Sequence, residues 1–311
     1  SLHDALPICL IIIISFIINP VFASQNSSIA SSIRPIAMLL KAVTGDETSV
    51  NILLPGNMSP HNYRLRFSDI KLIKESDLFF WIGPNLESGI SKAVKTHGTT
   101  NIIKLMDIDD LSWPKTTCEL GHSHSNLNHG HDNEHESYEG VKDNRDHHIW
   151  LSPQNAVAIV ATINDLLGKK FPDKKEFFEK NTNNFEASLK SLNITIRERL
   201  EEIKHKGFLV AHDGYRHFVD FYDLNQLGIV DLTDDISPSA KHKGNLNKLI
   251  DKTSCIFTDP QHTSKVANQL AKKFNIKSRE LDLMGHNIPL GKNSYIDFLS
   301  KLSETVVECL K

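Results

Sequence analysis

Short apolar runs alternate with amphipathic stretches in the first third of the chain. Residues 50–54 form one run that ends at a Pro-Gly pair, and residues 78–82 form a continuous run that ends at Gly-Pro. Runs of this length between Gly and Pro are typical of strands, and an uninterrupted one is typical of a buried parallel strand. Between them, Ser68 can cap a helix whose inward face carries Ile70 and Ile73. The order strand, helix, strand predicts a βαβ unit and an α/β fold.

The second half of the chain repeats this order. Runs at residues 208–211, 255–258 and 279–283 predict strands, and residues 263–274 predict a helix between the last two. We therefore expect two α/β lobes, each built on a sheet of the parallel type.

Two helical patterns join these lobes. Ser152 is a candidate N-cap before Pro153, and this first helix is expected to end at Gly168. Apolar residues at spacings of mostly three and four between residues 173 and 204 predict a second helix of about thirty residues, roughly 45 Å long. A helix of that length is expected to span both lobes as a rigid spine. The predicted divisions are an N-terminal lobe at 24–172, a linking helix at 173–205 and a C-terminal lobe at 206–311.

The N-terminal residues indicate export. An apolar run at residues 9–18 is too short to span a bilayer comfortably, and the small-residue pattern Val21-Phe22-Ala23-Ser24 follows it. This is typical of a secretory signal peptide, here residues 1–23, and predicts a periplasmic protein. No basic residue and no initial Met precede the run, so residues 1–8 are open to a non-native origin. An uncleaved anchor is the alternative.

Composition narrows the function classes. The chain has 311 residues, is 40% hydrophobic and carries 35 basic against 38 acidic side chains. That length allows two domains with cores, and the balanced charge gives no nucleic-acid footprint. After cleavage, Cys118, Cys255 and Cys309 remain. The last two could bridge in an oxidising compartment, whereas Cys118 is either free or a soft extra ligand.

A histidine-dense segment points to metal handling. Seven of the sixteen histidines lie between His122 and His148, among polar and acidic residues. Such a composition cannot bury a core, so we expect a disordered loop at about 116–147. Imidazole binds zinc, copper and nickel, and a mobile loop would bind them weakly at several places. The alternative is a solvated insertion without function. The candidate weak ligands are His122, His124, His129, His131, His135 and His147.

Four polar residues share another position, at the ends of predicted elements. His61 follows the first strand through a short loop, His148 precedes the helix at Ser152, and His212 and Asp259 directly follow strands. Open α/β sheets bind ligands at the carboxyl ends of their strands, so the interlobe cleft would bring these residues together. Three imidazoles and a carboxylate suit tetrahedral zinc.

Asp259 is the weaker candidate, since Asp-Pro after a strand is also ordinary turn chemistry. The remaining histidines lack this positional support, although His262 lies close enough to Asp259 to compete with it. These histidines are His97, His205, His217, His242, His262 and His286.

Five segments form a joint pattern: Ser59-Pro60-His61-Asn62-Tyr63-Arg64-Leu65-Arg66 with Ser68-Asp69-Ile70, His148-Ile149-Trp150-Leu151-Ser152-Pro153, Ala211-His212-Asp213-Gly214-Tyr215, Cys255-Ile256-Phe257-Thr258-Asp259-Pro260-Gln261, and Gly285-His286-Asn287-Ile288-Pro289-Leu290-Gly291-Lys292-Asn293-Ser294-Tyr295. Together they resemble the zinc-binding proteins of bacterial zinc-uptake ABC transporters, the ZnuA type. The resemblance covers essentially everything after the signal peptide, including the His-rich insertion.

The resemblance implies that His61, His148 and His212 bind Zn²⁺. Manganese-carrying relatives have a carboxylate at the third position, and nitrogen-rich coordination favours zinc. Some zinc members have Glu before the first histidine; Pro60 stands here, which leaves Asp259 or water as the fourth ligand. The family's C-terminal disulfide would map onto Cys255 and Cys309.

The implied partners are a membrane ABC permease with its ATPase and, as a further candidate, a periplasmic zinc chaperone; we expect a monomer that binds no nucleic acid. Zinc needs neutral imidazoles, so affinity should fall as the pH drops through about 6.5. Two alternatives stay open: an exported zinc hydrolase, since three ligands and one open position also describe catalytic zinc, and an adhesin or zinc buffer without a transporter.

Overall fold

The described residues form two four-stranded parallel sheets with helices packed against them. The structure, a computed structural model, describes residues 28–97, 101–115, 145–231 and 239–311. The predicted signal peptide, Cys118 and most of the predicted His-rich loop lie outside these residues. So do five of the six candidate weak ligands, namely His122, His124, His129, His131 and His135.

The strands of each sheet are ordered around a central pair. The first sheet has the order β2-β1-β3-β4 and the second β6-β5-β7-β8, and every neighbouring pair is parallel. The predicted fold of two α/β lobes with parallel sheets is thus confirmed. The strands are β1 (Ile29–Ser31), β2 (Val50–Ile52), β3 (Leu78–Trp81), β4 (Ile102–Lys104), β5 (Gly207–Val210), β6 (Gln226–Ile229), β7 (Thr253–Thr258) and β8 (Lys277–Glu280).

Helices pack around and between the sheets. They are α1 (Arg34–Thr44), α2 (Phe67–Glu75), α3 (Ser88–His97), α4 (Pro153–Lys170), α5 (Lys175–Leu200), α6 (Arg216–Phe221), α7 (Ala240–Asn247), α8 (Lys265–Phe274) and α9 (Ser294–Leu310). Among the helices of the described residues, none is long and apolar enough to cross a membrane.

Three strands escaped the sequence pattern. β1, β4 and β6 have only three or four residues, too few for a period to stand out. β1 lies between β2 and β3, so the two strands of the predicted βαβ unit share a sheet without being neighbours. The last strand begins two residues earlier than predicted, because β8 is an exposed edge strand and the apolar Leu281 and Leu283 are buried beyond its end.

The predicted N-caps of α4 and α2 have different outcomes. Asn155 N donates to Ser152 Oγ over 3.3 Å, which confirms the predicted cap of α4, although the helix continues past Gly168 to Lys170. Ser68, in contrast, is not the cap of α2. That helix begins at Phe67, and Arg66 N donates to the Asp69 carboxylate over 2.7 Å.

The predicted spine is α5, a helix of 26 residues that spans about 39 Å. Near its N-terminus, Asn181 Nδ2 donates to Val43 O of α1 over 2.9 Å; near its C-terminus, Arg197 donates to Phe221 O of α6. The helix also packs against α4 and α9. The α5 helix therefore contacts both lobes. The exact domain boundaries stay a prediction.

A disulfide fastens the C-terminal helix to the second sheet. Cys255 of β7 and Cys309 of α9 are bonded, with their Cα atoms 5.8 Å apart and a sequence separation of 54. Because α9 also packs against α1 and α5, the bond secures a helix that contacts both lobes.

We expect the double substitution Cys255→Ser and Cys309→Ser to lower the free energy of unfolding by about 2–4 kcal/mol, since the bond restricts the unfolded chain. Urea unfolding followed by circular dichroism measures this. Cys118→Ser, which removes a cysteine outside the bridge, is the control and should leave the midpoint unchanged. An unchanged midpoint in the double variant would contradict the stabilising role.

Candidate metal centre

His61 is carried by a loop fixed at both ends. Strand pairing continues past β2, where Leu53 N and Leu54 N donate to the carbonyls of the last residue of β1 and of the residue after it. Beyond the loop, Ser88 Oγ at the start of α3 donates to His61 O over 3.2 Å. The Tyr63 hydroxyl then donates to the Asp69 carboxylate of α2 over 2.8 Å. The histidine is thereby held at the carboxyl edge of the first sheet.

His148 stands just before a short 3₁₀ turn, Ile149–Leu151, that leads into α4. Trp150 in this turn is fully buried, and its indole N–H donates to Leu283 O over 2.9 Å. The Tyr295 hydroxyl of α9 donates to Trp150 O over 2.7 Å. Both contacts reach across to the C-terminal part of the chain, so His148 is fixed relative to both lobes.

His212 follows β5 at the carboxyl edge of the second sheet. Its ring lies against Gly214: a Cβ atom there would be 2.8 Å from His212 Cε1 and equally close to a methyl group of Leu283. Any side chain at position 214 would therefore displace the imidazole or the leucine. Glycine at this position is needed for the close approach.

The three imidazoles converge. Their ring centroids are 5.4 Å apart for His61 and His148, 5.3 Å for His61 and His212, and 5.2 Å for His148 and His212. One potential donor atom from each lies within 4.8 Å of the others. Two ligands about 2.1 Å from one tetrahedral zinc lie about 3.4 Å apart, so a modest approach of the rings would complete such a site.

Buried nitrogens without hydrogen bonds mark the site chemically. Within the described residues, His61 Nε2 and His212 Nδ1 are buried and make no hydrogen bond. Leaving a buried polar atom unsatisfied costs about 1–3 kcal/mol. The cavity between the rings is about 20 Å³, room for a single water-sized occupant. A metal ion would give these nitrogens the partner that the protein does not.

Burial keeps His61 and His212 neutral. Burial and, to a smaller extent, the neighbouring His148 lower the pKa of His61 to about 3. Burial also holds the pKa of His212 well below its usual value, again with help from His148 and His61. Neutral imidazole is the form that binds metal. Ordinary histidines become protonated, and lose metal, below about pH 6.5. For His61 and His212 this protonation is expected at lower pH.

The sequence reasoning missed Asp146, which orients His148. The Asp146 carboxylate accepts a hydrogen bond from His148 Nδ1 over 2.7 Å and one from His148 N over 3.0 Å. Burial alone would raise the pKa of Asp146, but the attraction of His148 and these bonds outweigh it, and the pKa lies well below its usual value. With the proton on Nδ1, His148 Nε2 is left to bind metal, as is common for metal-binding histidines.

Asp146 is itself held in place by His217. Nε2 of His217 donates to Asp146 O over 2.9 Å, because a carbonyl can only accept, and Nδ1 of the same ring lies 3.4 Å from Asn155 Nδ2. His147 lies in the same segment and contacts Asn85 Nδ2 over 3.1 Å. Residues 145–147, predicted as the end of a disordered loop, thus belong to the structured surroundings of His148.

Asp259 lies beside the triad without joining its close set of donor atoms. It is 4% exposed, and its Oδ2 is 3.7 Å from His212 Nδ1, which is too long for a good hydrogen bond. The carboxylate lines the same cavity as the three imidazoles. Its part in coordination stays a prediction.

The other histidines without positional support lie in different surroundings. His242 Nε2 contacts Ile229 O and Val230 O over 2.9 and 3.1 Å, and His286 Nδ1 contacts the Asp282 carboxylate over 2.8 Å. His205 is exposed at the amino edge of the second sheet. His262 borders the cavity, with its ring centroid 5.9 Å from that of His212.

We expect Asp146→Ala to lower the zinc affinity by about 10–100-fold, since it removes the group that fixes the ring and tautomer of His148. Asp146→Asn keeps a hydrogen-bond acceptor without the charge. Its zinc affinity should lie between those of the wild type and Asp146→Ala. Competition with a chromophoric chelator measures both. Asp173→Ala is the control, because Asp173 is exposed beyond the other end of α4, about 27 Å away. Equal affinities for wild type and Asp146→Ala would contradict the role.

Comparison with known proteins extends the likeness over the whole described fold. Residues 29–309 match the family described as zinc-uptake complex component A, periplasmic. The chain is 32% identical over 301 residues to the high-affinity zinc uptake system protein ZnuA of Yersinia pestis, with 94% of each chain covered. It is 30% identical over 318 residues to the protein of that name from Haemophilus influenzae, covering 92% of this chain and 93% of the other.

A solved structure, a crystal structure of ZnuA, superimposes with a TM-score of 0.72 at 21% identity. It covers 91% of this chain and 99% of the other, and likeness at that identity shows the fold alone. The family match and the sequence identity to the two ZnuA proteins show the family as well as the fold. The chain belongs to the ZnuA family of periplasmic zinc-uptake components and is the zinc-binding, solute-binding component of such a system.

Proposed function

We propose that His61, His148 and His212 capture one Zn²⁺ between the lobes and that the loaded protein delivers it to a membrane ABC permease driven by an ATPase. The observation that carries the proposal is the convergence of three imidazoles, two of which, His61 and His212, have a buried nitrogen without a hydrogen bond. Zinc accepts such a nitrogen-rich set, whereas manganese prefers oxygen ligands.

The fourth position falls to Asp259 or to water. A separation of 3.7 Å between Asp259 Oδ2 and His212 Nδ1 is close to the ligand spacing of about 3.4 Å on a tetrahedral ion. A small shift of the carboxylate would make it a ligand. If it stays in place, it stabilises the bound cation from a short distance and water completes the coordination.

Capture and release need only small movements in this scheme. Arg34 at the start of α1 donates through Nε to Gly285 O over 3.0 Å, and Gln261 Nε2 bridges Gly56 O and the Asp282 carboxylate over 2.8 and 2.9 Å. These bonds, with the α5 spine, tie the N-terminal lobe to the C-terminal one. Loosening them would separate His212 from the other two ligands and weaken the site.

The remaining parts of the proposal lie outside the described residues. Residues 1–23 would direct export to the periplasm and be cleaved after Ala23. The segment 116–144 would gather zinc through weak histidine sites. A periplasmic zinc chaperone is a further candidate partner, and we expect the protein to act as a monomer.

The two alternative functions raised by the sequence, a zinc hydrolase and an adhesin or zinc buffer, have different outcomes. Membership in the family makes the chain a binding protein and not an enzyme, so the hydrolase hypothesis is rejected. An adhesin or buffering role shares the zinc site, and genes for a permease and an ATPase beside this one would favour uptake.

We expect zinc titration by calorimetry to separate the tight site from the weak ones through two variants. His212→Ala should lose the tight site and keep the weak ones, whereas deletion of residues 116–144 should do the reverse. The deletion stops before Asp146, because removing that residue would disturb His148. His205→Ala, an exposed histidine away from the cleft, is the control. If His212→Ala keeps its tight site, the high-affinity zinc lies elsewhere.

We expect few protons to leave when the first equivalent of zinc binds at pH 5.5. Three ordinary imidazoles would be mostly protonated there and would release nearly three protons. The lowered pKa values of His61 and His212 mean that both are already neutral, so at most about one proton should be released. Calorimetry in buffers of different ionisation enthalpy counts them. The release of two or more protons would contradict the neutral, buried state of His61 and His212.

The same shifts predict how the metal-free protein responds to acid. His61 and His212 stay neutral in the folded state, while the unfolded chain takes up protons below about pH 6.5. Stability should therefore fall as the pH drops below that value, by up to about 1.4 kcal/mol per pH unit for each histidine. Urea unfolding between pH 7.5 and 5 measures this, and a flat profile would argue against the burial of the two rings.

A further inference from the structure

A fully buried glutamate lies at the carboxyl edge of the first sheet. Glu87 is 1% exposed and directly precedes α3. Its Oε2 accepts hydrogen bonds from Ile82 N over 2.7 Å and from Gly83 N over 3.1 Å. A carboxyl group is seldom buried without a partner of opposite charge, because its desolvation is costly. The groups that hold this one are backbone N–H groups and a serine hydroxyl, none of them charged.

The carboxyl group of Glu87 lies where three strands of the first sheet end. The two residues that donate to it directly follow β3. Ser32, which follows β1, is fully buried beside it, and its hydroxyl favours the charged form of the carboxyl group. Ser32 O in turn accepts a hydrogen bond from Leu54 N over 2.9 Å, in the segment that leads from β2 to His61.

The first turn of α3, which begins directly after Glu87, supports the loop that carries His61. Ser88 Oγ donates to His61 O over 3.2 Å. The backbone at Gly89 lies against the same loop, since a Cβ atom there would be only 2.1 Å from Tyr63 O. Any movement of this turn would therefore be passed directly to the segment of His61.

We propose that Glu87 is a positioning residue for His61. By holding the two N–H groups after β3, its carboxyl group fixes where α3 begins, and the first turn of α3 fixes the backbone at His61. The imidazole is thereby kept at the distance from His148 and His212 that zinc needs. The inference rests on the proposed capture of zinc by these three histidines and adds the group that keeps one of them in place.

This role requires a hydrogen-bond acceptor and not a negative charge. Burial raises the pKa of Glu87 to about 7, against the smaller opposite effects of the Ser32 hydroxyl and the two N–H groups. A neutral carboxyl group still has a carbonyl oxygen that can accept both hydrogen bonds. Glutamine has the same length and such an acceptor, whereas leucine has a similar volume and no acceptor. Substitution by each of them separates the hydrogen bonds from the packing.

The competing interpretation is that Glu87 only stabilises the N-terminal lobe. In that case its loss would lower the free energy of unfolding, while the folded protein would keep His61 in place and bind zinc as before. The two interpretations therefore differ in the surroundings of the His61 ring within the folded protein, which its nuclear magnetic resonance signals report.

The test uses the full chain labelled with ¹⁵N-histidine, first without metal and then titrated with zinc. Ring signals are assigned from their absence in His61→Ala, His148→Ala and His212→Ala. In metal-free Glu87→Leu, the signals of His61 should shift while those of the other two rings stay. The zinc affinity, measured by competition with a chelator, should fall by about tenfold, as is common when a group that orients a metal ligand is lost.

Two control variants separate positioning from stability. Glu87→Gln keeps the acceptor and should retain the His61 signals and the zinc affinity of the wild type. Leu167→Ala removes a fully buried side chain near the far end of α4. It should lower the free energy of unfolding, because it leaves a cavity, without changing the signals of the three rings.

Ser88→Ala tests the link between α3 and His61, and it is mild because Ser88 is exposed. It should shift the His61 signals and weaken zinc binding less than Glu87→Leu does. If Glu87→Leu does not fold, this variant decides, and unchanged His61 signals in it would overturn the proposal.

The proposal is also overturned if Glu87→Leu leaves the His61 signals unchanged, if it moves all three rings alike, or if Glu87→Gln behaves like Glu87→Leu. A wild-type protein whose His61 signals do not respond to the first equivalent of zinc would instead contradict the capture site. That failure is distinguishable, because the effect of Glu87 on His61 is measured without metal.

Discussion

The constraint on which this structure depends is that three imidazoles are held together around a cavity with room for one water-sized occupant. Unpartnered, the buried nitrogens of His61 and His212 cost the metal-free protein about 1–3 kcal/mol each. The fold bears that cost because the ligands stand on strand ends and a helix start that packing has already fixed. Zinc binding would remove this cost and add three metal–nitrogen bonds, so the site is organised in advance for its cargo.

The division of the chain into lobes gives this constraint its function. His61 and His148 come from the N-terminal half and His212 from the C-terminal half, so affinity depends on how the lobes sit against each other. The α5 helix, the bond from Trp150 to Leu283 and the contacts of Arg34 and Gln261 hold that relation. A partner that shifts the lobes slightly would weaken zinc binding without unfolding either one.

Position along the chain brought the three histidines and Asp259 to one cleft as candidates, because ligands of parallel sheets gather where strands end. The choice of the three histidines among them came from the resemblance to the family. The same reasoning missed the residues that orient the ligands. Asp146 lay within a segment whose composition indicated disorder, and only its place two residues before His148 hinted at a hydrogen bond. His217 sits on a short helix with no strand end to mark it. The need for Gly214 depends on the ring of His212, which no local pattern shows.

Strand prediction failed for a related reason. β1 is central in its sheet but contributes only three residues before the chain turns into α1, and its partners lie twenty or more positions away. Such a strand is stabilised by pairing that the local sequence does not encode. The long α5 helix is the opposite case, since its apolar spacing repeats over several turns and was recognisable from the sequence.

Zinc capture between the lobes is tested most directly by X-ray absorption at the zinc edge of the full chain loaded with one equivalent of zinc. We expect three imidazole nitrogens and one oxygen, all about 2.0–2.2 Å from the metal, with no sulfur. In His212→Ala, which is expected to lose the tight site, the spectrum at one equivalent of zinc should no longer show this ligand set. Fewer than three imidazoles, a sulfur ligand, or an identical spectrum in that variant would contradict zinc capture between the lobes.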